Sequence, residues 1–383
     1  MRCSPEAIAG ALRDIDARNL RRRREIADDS SLDFCSNDYL GLARHPEVAG
    51  AMAEAALREG AGARASHLVS GHGREHDALE RELAEFSGRE RALVFSTGYM
   101  ANLGVITALA DREDLVLEDR LNHASLIDAG LLARTRSFRR YRHRDAADAA
   151  GHLAAHVAGG ALLVTDGVFS MDGDVAPLPE LAAAACSRGA WLIVDDAHGL
   201  GVLGERGGGC CEFFGLDAKA VPVLIGTFGK ALGSFGAFVA GDADLIELVM
   251  QRARTYIYTT AMPPAVAAAT RHSLTLMQRE PWRRHKLHEL IARFREGAIR
   301  LGLPLADSVT AIQPVLLGDS QRALAVSAAL RERGYRVTAI RPPTVPENGA
   351  RLRVALSAAH KESDVDGLID ALREAIDEVS RRA

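Results

Sequence analysis

The sequence predicts an α/β protein with a mainly parallel central sheet and helices on both of its faces. From Arg91 onward, short apolar runs alternate with helical stretches, a rhythm typical of such sheets. In these sheets, ligands bind beyond the carboxyl ends of the strands. Polar residues follow each apolar run, so several loops that are distant in sequence are predicted to converge on one crevice. The apolar runs are 92–95, 115–117, 161–164, 191–194 and 221–225.

The remaining elements follow from apolar spacing. The N-terminal part predicts a helix from Glu6 to about Arg24, a short strand and turn over 32–42, and a helix from His45 to Arg58. Further helices are expected over 101–109 and from near His123. The tail predicts helices over 282–302 and 319–334, strands over 335–340 and 351–355, and a terminal helix. We therefore expect an N-terminal segment (1–50) packed with a small C-terminal α/β domain (276–383), and a large domain (51–275).

Composition favours a small molecule or a second copy of the chain as the partner, and a reducing compartment. The 383 residues carry a formal net charge of -4, which gives no general attraction to nucleic acid or anionic lipid. The cysteines form no CxxC pair, and no apolar run reaches the length of a membrane span. We expect a cytoplasmic protein. The run Arg21 to Arg24 is better explained as a solvated helix end than as a nucleic-acid site, and His72 with His76 lacks a third metal ligand.

Lys230 is the strongest candidate for covalent chemistry. It follows the apolar run 221–225 and the small residues of Gly226-Thr227-Phe228-Gly229. A lysine with little bulk beside it is partly desolvated, which lowers its pKa and favours a Schiff base. The alternative is an ordinary solvated lysine, and this stretch alone does not decide between them. A phosphate-binding P-loop is excluded because Leu224 and Ala231 occupy positions that require glycine and a hydroxyl.

Other polar residues at strand ends suit a pyridine cofactor with a phosphate. Asp195 could keep a pyridine nitrogen protonated, and His198 could bind the ring oxygen. His123, at the start of a helix, could stack on the ring. The backbone N–H groups of Gly98 and Tyr99 and the hydroxyl of Thr227 suit a phosphate. Each residue taken singly is more often structural, but their joint occurrence at successive strand ends favours a cofactor site.

The motifs VDDAHG (194–199) and TFGKALGSFG (227–236) resemble those of the α-oxoamine synthases, which are fold-type I enzymes that use pyridoxal 5'-phosphate. The resemblance covers nearly the whole chain. It includes SNDYLGL (36–42), NHASLIDA (122–129), TDGVFSMDGD (165–174), IYTTAMPP (257–264) and AIRPPTVP (339–346). The chain departs from the family's glycine- and serine-rich loop at Ala63 and Arg64, which leaves the role of that loop open.

The resemblance implies a role for each matching residue. Lys230 would hold the cofactor as an internal aldimine and then remove the α-proton of the amino acid. Asp195 would bind the pyridinium, His198 the ring oxygen, and His123 would stack on the ring. Further cofactor contacts are implied for Ser170, Thr227, Gly98 and Tyr99. Thr259 or Thr260 would reach the phosphate of a neighbouring subunit, which implies a homodimer with shared sites.

The resemblance also implies the substrates. Arg353 and Asn37 would bind the amino-acid carboxylate, and Arg21 and Thr344 would contact the acyl substrate. The loop AIRPPTVP favours condensation of L-alanine with a pimeloyl thioester, carried on coenzyme A or on an acyl carrier protein. A glycine C-acetyltransferase is the main alternative, since it would share every cofactor residue. A cofactor-sensing regulator is disfavoured because no helix-turn-helix is evident.

Overall fold

A computed structural model of the chain describes residues 4–18, 20–22, 24, 26 and 30–382. It divides into two compact units. The larger unit comprises Asn37–Ser170 and Asp174–Leu287, and the smaller unit comprises Met1–Ser36, Met171–Gly173 and His288–Ala383.

The described residues form strands in the following order. They are β1 (Leu32–Asp33), β2 (Arg91–Phe95), β3 (Leu115–Asp119), β4 (Ser137–Tyr141), β5 (Ala161–Asp166), β6 (Trp191–Asp195), β7 (Val223–Thr227), β8 (Ala237–Gly241), β9 (Ile312–Gly318), β10 (Tyr335–Arg336), β11 (Thr338–Ile340) and β12 (Ala350–Ala355).

The helices are α1 (Pro5–Ala17), α2 (Pro46–Glu59), α3 (Arg74–Ser87), α4 (Gly98–Leu109), α5 (Ala124–Leu132), α6 (Ala146–Ala155), α7 (Leu178–Cys186), α8 (Gly209–Phe214), α9 (Ala243–Arg252), α10 (Arg254–Ile257), α11 (Pro264–Arg279), α12 (Trp282–Arg300), α13 (Ser320–Glu332) and α14 (Glu362–Arg382). A single π-helical turn spans His67–Gly71.

The larger unit is built on a seven-stranded sheet in the order β2-β8-β7-β6-β5-β3-β4. Only β8 runs antiparallel to its neighbours β2 and β7, so the predicted mainly parallel sheet is confirmed. Neither β8 nor the edge strand β4 was expected from the sequence. The carboxyl ends of β3, β5, β6 and β7 lie at one edge, where the polar residues of the sequence prediction emerge.

Apolar side chains hold the helices against this sheet. Val105 of α4, Leu126 of α5 and Ile246 of α9 are fully buried in one cluster with sheet residues such as Val116 and Ile193. The helices α6 and α7 pack on each other and on other parts of the same sheet. Thr97 caps α4 by accepting a hydrogen bond from the backbone N–H of Met100 at 3.1 Å. These contacts fix the strand ends and helix starts that carry the candidate site.

The unit boundaries differ from those expected from the sequence, because residues 37–50 and 276–287 belong to the larger unit. Helix α2 packs against α11, and Arg283 donates a hydrogen bond to the carbonyl of Leu40 at 3.1 Å. The close approach of Gly233 to Ala43 adds to this: a Cβ on Gly233 would lie 2.2 Å from the Ala43 nitrogen. These contacts tie the SNDYLGL segment to the larger unit.

The smaller unit combines two short sheets. Strand β1 pairs with β10 in parallel, and β12 lies between β11 and β9 in an antiparallel sheet. Phe34 stacks on His360, with ring centroids 4.1 Å apart, and His360 Nε2 lies 3.0 Å from the Asp33 carbonyl oxygen. Helix α1 ends at Ala17 and not near Arg24 as predicted. It buries no side chain, so no packing extends it further.

Three expectations from the sequence can be compared with the fold: the cysteines, membrane spans and the His72–His76 pair. Cys35, Cys186, Cys210 and Cys211 are free thiols, and Cys3 lies outside the described residues. Among the helices that the structure describes, none combines the length and apolar character needed to cross a bilayer. His72 precedes α3 and His76 lies within it, so the two do not share a helix face.

Candidate active site

The carboxyl edge of the larger sheet contains a cavity of about 310 Å³. Eight of the residues singled out in the sequence line it. They are Asn37, Gly98, Tyr99, His123, Asp195, His198, Thr227 and Lys230. The chain also brings residues to this cavity that sequence reasoning missed: Thr97, Asn102, Ser125, Asp166, Ala197, Phe235 and Gly236.

Lys230 lies in the turn between β7 and β8. Its ammonium nitrogen is 3.3 Å from the hydroxyl of Thr227, the last residue of β7. The turn is closed by a hydrogen bond from the Phe228 N–H to the Gly236 carbonyl at 2.9 Å. Phe228 and Leu232 are fully buried on either side of the lysine. The turn therefore presents a half-buried amine from a rigid support.

Two carboxylates lie side by side at the ends of adjacent strands. Asp166 ends β5 and Asp195 ends β6, and the two residues are register partners. Both are almost completely buried. Burial raises the pKa of Asp166, and the neighbouring charge of Asp195 adds to that increase. Asp166 accepts a hydrogen bond from the His123 backbone N–H at 2.6 Å, so it fixes the start of α5.

Asp195 is held in place by two donors. Its Oδ1 accepts from the Ala197 backbone N–H at 3.0 Å, and its Oδ2 accepts from the Asn102 amide at 2.6 Å. Each carboxylate oxygen can accept a second hydrogen bond. The carboxylate can therefore bind a protonated ring nitrogen without losing its protein partners.

His123 is the N-cap of α5 and is open to the cavity. Its Nδ1 lies 2.7 Å from the hydroxyl of Ser125, and Ser125 accepts a hydrogen bond from Asn102 at 2.8 Å. The protein packed around the ring lowers the pKa of His123, and the positive charge of Lys230 acts in the same direction. The lowered pKa favours the neutral form of the imidazole, which lines the cavity.

A second histidine of the cavity, His198, is fixed by Tyr39. His198 Nδ1 lies 2.7 Å from the hydroxyl of Tyr39, which is fully buried. The same hydroxyl is 3.1 Å from the side-chain oxygen of Asn37. The SNDYLGL motif thus supports His198 as well as supplying Asn37, a connection that the sequence did not reveal.

The start of α4 and the end of β7 line the same part of the cavity and present hydrogen-bond donors there. The first turn of an α-helix presents unpaired N–H groups and a partial positive charge. Here that turn begins at Gly98 and Tyr99, beside the Thr227 hydroxyl. A Cβ on Gly98 would lie 2.7 Å from Thr227 Cγ2, so the approach of the two segments requires glycine. The donors in this region suit a phosphate group.

The other predicted site residues lie elsewhere in the two units. Ser170, Thr259 and Thr260 belong to the larger unit, but the described residues that line the cavity do not include them. Thr260 pairs with Ser66 in a short bridge next to the divergent loop. In that loop Arg64 has a φ of 70°, a conformation that glycine adopts without strain.

Three predicted substrate residues belong to the smaller unit. Arg353 lies in β12 and is buried, whereas Arg21 forms an exposed ion pair with Asp16 at 2.8 Å. The hydroxyl of Thr344 accepts a hydrogen bond from Arg22 at 3.4 Å. Their roles in substrate binding stay predictions.

Comparisons with known proteins agree with the chemistry of this cavity. The family described as aminotransferase class I and II matches residues 29–372. An 8-amino-7-oxononanoate synthase of Cellvibrio japonicus is 56% identical over 388 aligned residues, which cover 98% of this chain and 97% of that protein. One from Methylococcus capsulatus is 58% identical, covering 96% of this chain and 98% of that protein.

Solved structures are similar over almost the same length. The serine palmitoyltransferase of Sphingomonas wittichii has a TM-score of 0.92 at 31% identity and covers 98% of both chains. A variant of the enzyme from S. paucimobilis, solved with a bound PLP–myriocin aldimine, has a TM-score of 0.91 at 29% identity, again covering 98% of both chains. The 8-amino-7-oxononanoate synthase from Francisella tularensis has a TM-score of 0.79 at 29% identity, covering 92% of this chain and 99% of that chain.

Proposed function

The chain belongs to the aminotransferase class I and II family, and we propose that it is an 8-amino-7-oxononanoate synthase that uses pyridoxal 5'-phosphate. The reaction condenses L-alanine with a pimeloyl thioester and yields 8-amino-7-oxononanoate, carbon dioxide and a free thiol, as part of biotin biosynthesis. The observation that carries this proposal is the cavity that joins Lys230, Asp195 and the start of α4. The 8-amino-7-oxononanoate synthases of Cellvibrio japonicus and Methylococcus capsulatus are 56% and 58% identical to this chain, whereas the one from Francisella tularensis and the serine palmitoyltransferases are near 30% identical.

The residues of the cavity fit pyridoxal phosphate on three points. An amine is available for its aldehyde at Lys230, a buried carboxylate for its ring nitrogen at Asp195, and a helix start for its phosphate at Gly98. Gly98 packs closely on Thr227, so the helix start and the Thr227 hydroxyl would lie together at the phosphate. When bound, this cofactor withdraws electrons from the α-carbon of the amino acid attached to it.

Each residue of the cavity would then have a defined task. Lys230 would bind the cofactor covalently and later accept the α-proton of L-alanine at Nζ. Asp195 would keep the ring nitrogen protonated, and His198 would bind the ring oxygen while Tyr39 holds its other nitrogen. His123 would cover one face of the ring and exclude water. Thr227, Gly98 and Tyr99 would hold the phosphate.

The substrates would be held by Asn37, which lines the cavity, and by other residues that do not line it. Arg353 and Asn37 would bind the carboxylate of L-alanine, because a guanidinium forms paired hydrogen bonds with a carboxylate. Arg21 and Thr344 would contact the pimeloyl chain, and Ser170 would add a hydrogen bond to the cofactor. In the homodimer we propose, Thr259 or Thr260 would reach the phosphate bound by the other subunit. The cytoplasmic location remains a prediction.

The bond changes balance with one proton from solvent, which protonates the leaving thiolate, while Lys230 returns the α-proton. The α-carbon of L-alanine loses its proton to Lys230 and attacks the thioester carbonyl, so a carbon–carbon bond forms and the carbon–sulfur bond breaks. The thiol leaves. The original carboxylate is then released as carbon dioxide, and the α-carbon is protonated again.

The decisive assay follows the release of labelled carbon dioxide from L-alanine carrying ¹⁴C in its carboxyl group. We expect release that depends on pimeloyl thioester, and parallel reactions with the coenzyme A and carrier-protein thioesters would identify the carrier. Glycine with acetyl-coenzyme A, assayed by thiol release, serves as the comparison. Faster turnover of that pair would identify a glycine C-acetyltransferase instead.

A further inference from the structure

A chain of buried hydrogen bonds connects Asp195 and His123, two of the residues proposed to contact the cofactor ring. It starts at Asp195, whose Oδ2 accepts from Asn102 Nδ2 at 2.6 Å. The same amide nitrogen lies 2.8 Å from the hydroxyl oxygen of Ser125, which in turn lies 2.7 Å from His123 Nδ1. Asn102 and Ser125 are each only 1% exposed. Neither was singled out by the sequence.

The direction of each hydrogen bond can be assigned. The Asn102 amide must point its NH₂ group at Asp195, because its oxygen would repel the carboxylate. Both N–H bonds of that group are then used, one toward Asp195 and one toward Ser125. Since Ser125 accepts from Asn102, its own proton is available for His123.

The protonation of His123 follows from its donors. The backbone N–H of Ser125 also points at His123 Nδ1, at 3.3 Å, and a backbone N–H can only donate. Nδ1 therefore receives two donors, the N–H and the hydroxyl of Ser125. It must carry a lone pair, so the proton of the neutral imidazole is on Nε2.

We propose that Asn102 and Ser125 are positioning residues that hold His123 as the neutral Nε2–H tautomer and tie its orientation to the carboxylate of Asp195. The proposal deepens the proposed function and rests on it. Asp195 favours a positively charged ring nitrogen, and a protonated imidazole stacked on such a ring would be repelled by it. The hydrogen-bond chain therefore keeps His123 neutral, while Asp195 keeps the nitrogen of the cofactor ring positively charged.

Packing alone is a poor explanation for Asn102. Its side-chain oxygen is buried and has no hydrogen-bond partner among the described residues. An unpaired buried oxygen costs free energy that an apolar side chain of similar size would not. The two bonds made by the amide nitrogen are therefore the reason we assign the residue a role.

The first test reads the tautomer directly. Histidine labelled with ¹⁵N is incorporated into the cofactor-loaded enzyme, and His123→Asn identifies the signals of His123. We expect Nδ1 to show the shift of an unprotonated nitrogen and Nε2 that of a protonated one at neutral pH. A protonated Nδ1 would overturn the proposal.

The second test asks whether Asn102 acts through Ser125. In Ser125→Ala, the pH midpoint for protonation of His123 should rise by about half to one unit, because one donor to Nδ1 is lost. Asn102→Ala should raise the midpoint in the same direction, and it should add nothing in the Ser125→Ala background. Ser125→Thr keeps the hydroxyl and should restore the original midpoint.

The controls separate this proposal from folding and from the proposed function. Ser273→Ala removes another fully buried serine, in α11, and should leave the midpoint unchanged. An equal effect of Asn102→Ala with and without the Ser125 hydroxyl would overturn the proposal. If the protein fails to bind pyridoxal phosphate, the proposed function fails, and the same ¹⁵N signals in the unloaded protein still decide the tautomer.

Discussion

The buried hydroxyl of Tyr39 lies 2.7 Å from Nδ1 of His198 and 3.1 Å from the side-chain oxygen of Asn37. One tyrosine therefore connects two residues with different proposed tasks, one at the cofactor ring and one at the substrate carboxylate. The connection is made within the larger unit, to which the segment after Ser36 belongs.

Replacing Tyr39 by phenylalanine should lower kcat/KM by about five- to tenfold. This is the effect of losing one hydrogen bond worth about 1 kcal/mol at a group that must be oriented. Steady-state kinetics with L-alanine and pimeloyl thioester provide the measurement. Tyr335→Phe, in the smaller unit, is the matched control. Unchanged kinetics in Tyr39→Phe would mean that His198 does not need this partner.

Lys230→Ala should abolish covalent attachment of the cofactor and reduce turnover by roughly 10⁴-fold or more, because both nucleophile and base are lost. Borohydride reduction followed by peptide mapping is the direct check. The sequence contains only four lysines, Lys219, Lys230, Lys286 and Lys361, so the assignment is unambiguous. Lys219→Ala should keep both label and activity. A label on any other lysine would contradict the proposed mechanism.

Gly98→Ala should weaken the binding of pyridoxal phosphate by at least about tenfold. The added methyl group would overlap with Thr227, and relief of such overpacking typically costs about 1–3 kcal/mol. Fluorescence titration of the unloaded protein with cofactor measures the effect. Gly151→Ala in α6, where a Cβ meets open space, should leave affinity unchanged. Wild-type affinity in Gly98→Ala would place the phosphate elsewhere.

Acid should destabilise the protein through His67. Burial lowers the pKa of His67 to about 3, and the nearby His76 and His72 contribute. The unfolded chain binds this proton near pH 6.5, so this contribution to stability is complete above that pH and decreases as the pH falls toward 3. Urea unfolding between pH 7.5 and about 5 should show the loss, and His67→Phe should reduce its slope. The exposed His285→Gln is the control, and an equal slope in both variants would refute the assignment.

Raising the pH toward 8 should destabilise the protein through Glu118, which is fully buried in β3. Burial raises the pKa of Glu118 to about 8, and neither carboxyl oxygen has a hydrogen-bond partner among the described residues. The contribution of Glu118 to the free energy of unfolding is fully present below about pH 4.5 and is lost as the pH rises through 8. Glu118→Gln should therefore flatten the stability profile between pH 6 and 8 in urea unfolding. Exposed Glu54→Gln should not, and a profile unchanged by Glu118→Gln would exclude this carboxyl.

The sequence was sufficient to identify those site residues that come shortly after an apolar strand or at its end. Lys230 and Asp195 could be identified because buried strands precede them, and the structure brings them to one cavity. Asn102 could not be identified, because it is surrounded by the apolar residues of α4 and has the position of a core residue. Its role depends on Asp195, which is far away in the sequence.

There are also physical reasons why strands β4 and β8 and the end of helix α1 could not be predicted. Strand β4 reads SFRRY, and its arginines are exposed because it lies at the edge of the sheet, so it lacks the apolar run used to identify strands. Strand β8 follows the lysine turn closely and runs antiparallel, which a repeating strand–helix pattern does not predict. Helix α1 was predicted too long because arginine favours helix, whereas α1 ends at Ala17 and none of its side chains is buried.

The close packing of Gly98 on Thr227 also affects when the protein can first capture its cofactor. The two halves of the proposed phosphate site come from segments that leave the ribosome at different times, and β7 must join the sheet before they meet. A nascent chain that stops short of Thr227 should therefore be unable to retain pyridoxal phosphate, however well its earlier strands have formed.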